Sequence, residues 1–215
     1  PRAPAPPLHP PTSPPPPRVA VPLVIDTDLS IDVDDVGALC VAHALADRSE
    51  ARLLAVTHGT ALADGPAAIG VLNHFYGRDD LPIGAYDGEV GRPDLTEGRP
   101  DFINHGRGWY AEDLVRSFPP RISPLGSYVE PTVHVLRAAL SAAADRSVTI
   151  AAIGHATNLA ALLDSPGGAA LVARKARQLV WMGGGRLGGE WNFVGPGVGC
   201  GGWCGDAYAD VAQLT

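Results

Sequence analysis

The chain has 215 residues, with 16 Lys and Arg against 23 Asp and Glu, a formal net charge of −7 and 46% hydrophobic residues. That is enough apolar chain for one substantial core, and the acidic balance disfavours nucleic acid or an anionic membrane surface as partner. No run approaches the roughly 20 consecutive apolar residues that a helix needs to cross a bilayer, so the expected partner is a small polar molecule, and a homo-oligomer is compatible with the same numbers.

Ten of the first seventeen residues are proline, a composition that favours an extended, solvated segment with nothing to pack. Residues 1–18 are therefore expected to be a tail or linker, and residues 19–215 a single domain. The sole methionine is Met182, which points to a processed or partial chain. The three cysteines, Cys40, Cys200 and Cys204, match neither an even disulfide framework nor a paired zinc pattern. They leave the compartment open between cytoplasm and secretion.

After the tail, the unbroken apolar run 19–25 predicts a strand covered on both faces, as in parallel sheets. A helix is expected over 34–48, with Val36, Leu39, Cys40, His43 and Ala44 near a 3.6 period, and with Asp34 and Asp35 in a first turn whose dipole favours negative charge. The alternation continues with strand 52–57, helix 65–76, strand 81–85, helix 131–144 and strand 148–153. Helices 158–163 and 169–176 and strand 178–182 follow. Residues 86–130 resist assignment and read as a long excursion. Strands alternating with helices predict an α/β fold, a mostly parallel sheet with helices on both faces. Ligands of such sheets gather beyond the carboxyl ends of the strands. Three loops leave such ends and are expected side by side: the one after Ile25, Gly154 to Asn158, and Gly183 to Gly185.

The first of these loops is the most informative segment, because Asp26, Asp28, Asp32, Asp34 and Asp35 crowd into ten positions. Two carboxylates 4 Å apart repel by roughly 4 kcal/mol at an effective dielectric near 20, so a converging set calls for protons or a cation. An EF-hand is excluded, since counting from Asp26 or from Asp28 puts Ile31 or Val33 where that loop needs glycine, and Gly37 or Leu39 where it needs a bidentate glutamate. Simple helix capping explains Asp34 or Asp35 but not Asp26, Asp28 and Asp32. An Asp-x-Asp at the end of a first strand also suits a haloacid-dehalogenase type of Mg-dependent phosphatase, but the single lysine of the chain, Lys175, falls on an expected helix rather than at a site.

A third reading rests on several motifs in order. Val21 to Asp28, the Asp34-Asp35 pair, Ile153-Gly154-His155-Ala156-Thr157-Asn158-Leu159-Ala160, Trp181-Met182-Gly183-Gly184 and Glu190-Trp191-Asn192-Phe193 together resemble the inosine–uridine-preferring nucleoside hydrolases. The resemblance implies a Rossmann-like core, incomplete at its C-terminal end, and a Ca²⁺-dependent hydrolysis of ribonucleosides to ribose and free base. It also implies roles. Asp28 and Asp35 would be Ca²⁺ carboxylates joined by a carbonyl at Ile153, with Asp28 doubling as general base. Asp34, Met182, Glu190 and Asn192 would hold the ribose, and Asp26 would support the loop from behind. The competing class is a non-catalytic module that keeps the same core for binding or structure.

Two departures from the family pattern stand out. The spacing from Asp28 to Asp34 is longer than in the best-known members, with Asp32 added, and Thr57-His58-Gly59-Thr60 lacks the Asn usual after the second strand. Family members also run on past this length and draw a further metal-binding Asp and a leaving-group His from that part. Asn158 is expected to cap its helix. His58 and His155 are candidates for lining the pocket, and Trp181 and Trp191 suit either core or base stacking.

Overall fold

The computed structural model describes residues 19–29, 33–59, 62, 64–86, 110–118, 129–154 and 156–182. Their elements, in chain order, are β1 (Val21–Thr27), α1 (Asp34–Asp47), β2 (Ala51–His58), α2 (Asp64–Phe75), β3 (Ile83–Ala85), α3 (Tyr110–Ser117), β4 (Glu130–Pro131), α4 (Thr132–Ala142), β5 (Val148–Ala152), α5 (Thr157–Asp164), α6 (Gly168–Lys175) and β6 (Ala176–Trp181). The six strands form one sheet in the order β4-β3-β2-β1-β5-β6, and all five neighbouring pairs are parallel. The expected α/β architecture holds.

The sequence dictates this layering through the parity of β1. Successive strand residues face opposite sides, and Val24 joins a core with Leu136, Leu140, Val148, Ile150, Leu159, Leu162 and Leu171. Its neighbour Ile25 joins the opposite core, with Leu39, Val56, Ile69, Leu72 and Ile83. Helices α1 to α3 thus cover one face and α4 to α6 the other. The chain lays β2, β3 and β4 down on one side of β1, then crosses back through α4 to add β5 on the other side. Because crossovers are right-handed, reversing direction moves the helices to the other face. The reversal creates a topological switch point between the carboxyl ends of β1 and β5.

Two expectations are corrected. Strand β1 runs through Asp26 and Thr27 instead of stopping at Ile25, because the ladder continues past the apolar run: the Ile153 N–H donates to the Asp26 carbonyl (2.8 Å) and the Gly59 N–H to the Thr27 carbonyl (2.8 Å). Within the unassigned excursion, α3 packs Ala111 into the α1–α2 core, with Tyr110, Leu114 and Val115 against it. The spacing of those four side chains is helical, so the signal was present in the sequence. β4 is a two-residue edge strand ending in Pro131, a position where a missing N–H costs no ladder bond.

Where α1 meets the loop after α2, a buried histidine fixes the packing. His43 is fully buried and stacks on Tyr76 with ring centroids 4.5 Å apart and planes 7° from parallel. Its Nδ1 faces the Arg78 guanidinium at 3.3 Å, which can only donate, so Nδ1 accepts and Nε2–H donates to Asn73 Oδ1 at 3.1 Å. Arg78 is in turn paired with Asp47 at 2.5 Å. Burial, and next the Arg78 charge, hold the His43 pKa below its usual 6.5. The native state therefore keeps His43 neutral while the unfolded chain takes up a proton near pH 6.5. The contribution is complete above that pH and is lost as pH falls from there toward the folded pKa. Urea unfolding at pH 7.5 and at pH 5.5 is expected to show lower stability at the acidic pH, with a smaller difference in His43→Gln. An equal difference in both proteins would exclude His43 as the origin.

Candidate functional site

The carboxyl ends of β1 and β5 meet closely because one residue there has no side chain. A Cβ on Gly154 would come 2.6 Å from the Asp28 nitrogen, and 2.9 Å from both the Asp28 Cβ and the Thr27 carbonyl carbon. Only glycine lets the loop after β5 lie against the backbone of the acidic loop. Ile153, held by its N–H on the Asp26 carbonyl, directly precedes this contact.

The strand parity that separates the two cores also separates the aspartates. Asp26 follows Val24 toward the α4–α6 face and is fully buried. Its Oδ1 accepts from Thr57 Oγ1 at 2.6 Å and from Asn158 Nδ2 at 2.7 Å, tying β1 to β2 and to the first turn of α5. A buried carboxylate is tolerable where charge-assisted donors replace water. Asn158 is accordingly not a helix cap: the N-cap of α5 is Ala156, which makes no side-chain capping bond, and the Asn158 amide is spent on Asp26.

Thr27 points the other way, toward α1. Its hydroxyl donates a hydrogen bond to Asp35 Oδ1 and accepts the Leu29 N–H at 3.2 Å. Asp35 is 3% exposed in the first turn of α1, beside Asp34, which faces solvent. The first-turn position places both carboxylates in the positive end of the helix dipole. Asp28, half-buried, directly follows β1. Asp28 thus stands against Gly154 at the switch point, Asp35 is tied to the end of β1 through Thr27, and among the described residues no group of three or more His, Cys, Asp or Glu is placed to hold a metal ion. Met182 follows β6 next to β5, with its N–H on the Ala152 carbonyl (2.8 Å) and a half-exposed side chain.

His58 does not line an open pocket. It is fully buried, and its Nε2 donates to the Leu29 carbonyl at 3.1 Å. A Cβ on Gly65, in the first turn of α2, would fall 2.1 Å from that ring nitrogen, so glycine is what lets the helix pack over the imidazole. Trp181 packs against the core on the α4–α6 face. Asp32, His155, Glu190, Trp191, Asn192, the 183–185 glycines, Cys200, Cys204 and the proline-rich segment lie outside the described residues.

Thr27, Thr57 and Asn158 were not singled out as working residues, yet they orient the aspartates. The parity of β1 and the adjacency of Thr57 to Asp26 across the β1–β2 register were the signals that could have found the two threonines.

No protein of curated function matches this sequence. Among solved structures, a type III effector protein XopQ complexed with adenosine diphosphate ribose matches with a TM-score of 0.61 at 18% identity, covering 78% of this chain and 44% of that one. An inosine-guanosine nucleoside hydrolase matches at 0.51 and 25% identity, covering 76% of this chain and 49% of that one. A purine-preferring ribonucleoside hydrolase from Gardnerella vaginalis matches at 0.50 and 20%, with 76% and 49% covered. The chain thus spans about half the length of these structures. The model of the inosine-uridine preferring nucleoside hydrolases matches residues 23–195, and the chain belongs to that family.

Proposed function

We propose that this chain carries the metal- and ribose-binding core of a calcium-dependent nucleoside N-ribohydrolase. The reading is supported by the close approach of Gly154 to the Asp28 backbone at the β1–β5 switch point and by the Thr27–Asp35 hydrogen bond that ties the start of α1 to the end of β1. The donor set fits the ion, because carboxylates and a carbonyl are the hard oxygens that Ca²⁺ takes in flexible sets of six to eight. In this reading Asp28, Asp35 and Ile153 hold the cation. When bound, it lowers the pKa of a coordinated water and fixes the ribose diol.

The chain's own residues do the rest. Asp28 accepts the proton of the attacking water. Asp34, at the exposed start of α1, holds a ribose hydroxyl together with Met182, Glu190 and Asn192. As the glycosidic bond lengthens, positive charge develops on the sugar ring, and the surrounding carboxylates lower its energy. Asp26, spent on Thr57 and Asn158, keeps the end of β1 in place. The family membership leaves the phosphatase reading without support.

A second reading keeps the same site for binding without turnover, suggested by the similar effector protein solved with adenosine diphosphate ribose. Ribose is common to nucleosides and to the adenosine diphosphate ribose bound by the effector protein, so both belong in the assay. Ribose release from inosine, uridine and adenosine with calcium present is expected from the wild type, and Asp28→Ala is expected to lose roughly 10²–10⁴-fold, the range for a general base. Calcium-dependent binding of inosine or adenosine diphosphate ribose without release would select the binding module. Neither release nor binding would sink both readings.

A further inference from the structure

The acidic loop is held by two side chains that no assigned role uses. Thr27 and His58 are direct register partners across the β1–β2 pair, and both face the α1–α2 side. Each reaches the same residue, Leu29. The Leu29 N–H donates to Thr27 Oγ1 (3.2 Å), and the Leu29 carbonyl accepts from His58 Nε2 (3.1 Å). The Leu29 side chain is itself fully buried in the α1–α2 core. The residue after Asp28 is therefore pinned at its nitrogen, its oxygen and its side chain. At the far end of the same loop, Asp35 is pinned by the Thr27 hydroxyl.

We infer that Thr27 and His58 form a positioning latch for the metal loop, setting Asp28 and Asp35 relative to each other before the cation arrives. This rests on the metal site proposed above. The chemistry of the latch is complete on both sides. A bond to a carbonyl requires Nε2 to carry the hydrogen, which fixes the His58 tautomer. A hydroxyl has one donor and two acceptor sites, and Thr27 gives the donor to Asp35 and one acceptor site to Leu29. The hydrogen-bonded carboxylate keeps one oxygen oriented, as outer partners of metal ligands generally do. Preorganisation of this kind matters most where the loop between the two ligands is long. Here Asp28 and Asp35 are separated by six residues, and without the latch the ordering of that loop would be paid at binding.

The test measures calcium affinity by calorimetry, with melting of the calcium-free protein as the control for folding. Thr27→Val and His58→Leu keep the shape and remove the hydrogen bonds. Each is expected to weaken calcium binding by about 10- to 100-fold, the usual effect of losing an outer partner, while the buried groups left without a partner lower calcium-free melting by several degrees and leave the protein folded at the titration temperature. Thr27→Ser keeps the hydroxyl and His58→Gln keeps a donor at the Nε2 position, and both are expected to bind within about threefold of wild type. If one of the apolar variants melts out by itself, the other decides. Wild-type affinity in Thr27→Val and His58→Leu, alongside lost binding in Asp35→Asn, would overturn the latch and leave the metal site standing. Absence of calcium binding in the wild type would overturn the metal site, and the latch with it.

Discussion

Asp35→Ala is expected to abolish the stabilisation that calcium confers on the wild-type chain. A ligand that binds only the folded state at 100 times its dissociation constant stabilises it by about 2.7 kcal/mol, which for a chain of this size is a rise in Tm of roughly 5–10 °C. Asp35 is the buried member of the set, 3% exposed, and its carboxylate is oriented by Thr27 at the first turn of α1. Removing it takes away a ligand and a hydrogen-bond acceptor together. The calcium-free protein also loses the Thr27 hydrogen bond and a first-turn charge, each on the order of 1 kcal/mol, so the metal-specific part is the difference between melts with and without calcium. A variant that still gains the wild-type shift would remove Asp35 from the metal site.

Gly154→Ala is expected to damage stability and the site at once. The added carbon would meet backbone on the Asp28 side, at 2.6 Å from its nitrogen and 2.9 Å from the Thr27 carbonyl carbon. Neither atom belongs to a flexible side chain that can swing away. Overpacking of this kind costs about 1–3 kcal/mol, a fall in Tm of several degrees at this chain length. Because the strand ends must separate, Ile153 and Asp28 move apart too, and calcium affinity is expected to fall along with Tm. Gly37→Ala is the control, since a Cβ there has nothing within 4 Å and alanine is the better helix former. Equal melting and equal calcium affinity for Gly154→Ala and the wild type would show that the strands have slack at this point.

Much of the fold was legible in the order of apolar runs. The periodicity switches between strand and helix often enough to specify a parallel sheet, and the strands found at 21–27, 51–58, 83–85, 148–152 and 176–181 lie within a few residues of those expected. The errors fall where polar residues behave as strand or where the apolar signal is short. Asp26 and Thr27 extend β1 because Thr57, Asn158 and Asp35 satisfy their side chains, and no local pattern announces partners 31 and 132 residues away. Helix α3 was hidden in a stretch rich in Gly and Pro, although Tyr110, Ala111, Leu114 and Val115 carried its spacing.

The candidate site was legible as chemistry and illegible as geometry. Five aspartates in ten positions after an apolar strand marked the segment as chemically unusual, because converging like charges call for protons or a cation. Asn158 shows what remained hidden. Its place before a helical run suggested a cap, but a short amide serves equally well in a cap or on a buried carboxylate, and the choice depends on Asp26 arriving from a distant strand. His58 likewise read as a residue that could face a ligand, and the close passage of α2 at Gly65 turned it into a buried tether.

Composition and local order therefore determined the class of fold and the family resemblance, since these depend on which residues are neighbours in the chain. Tertiary structure alone decided how the aspartates divide their labour. Consecutive strand residues point to opposite faces, so Asp26 meets α5 while Thr27 meets Asp35 on α1. Which partner waits on each face is a property of strand order, and the reversal at β1 is what brings Gly154 against Asp28.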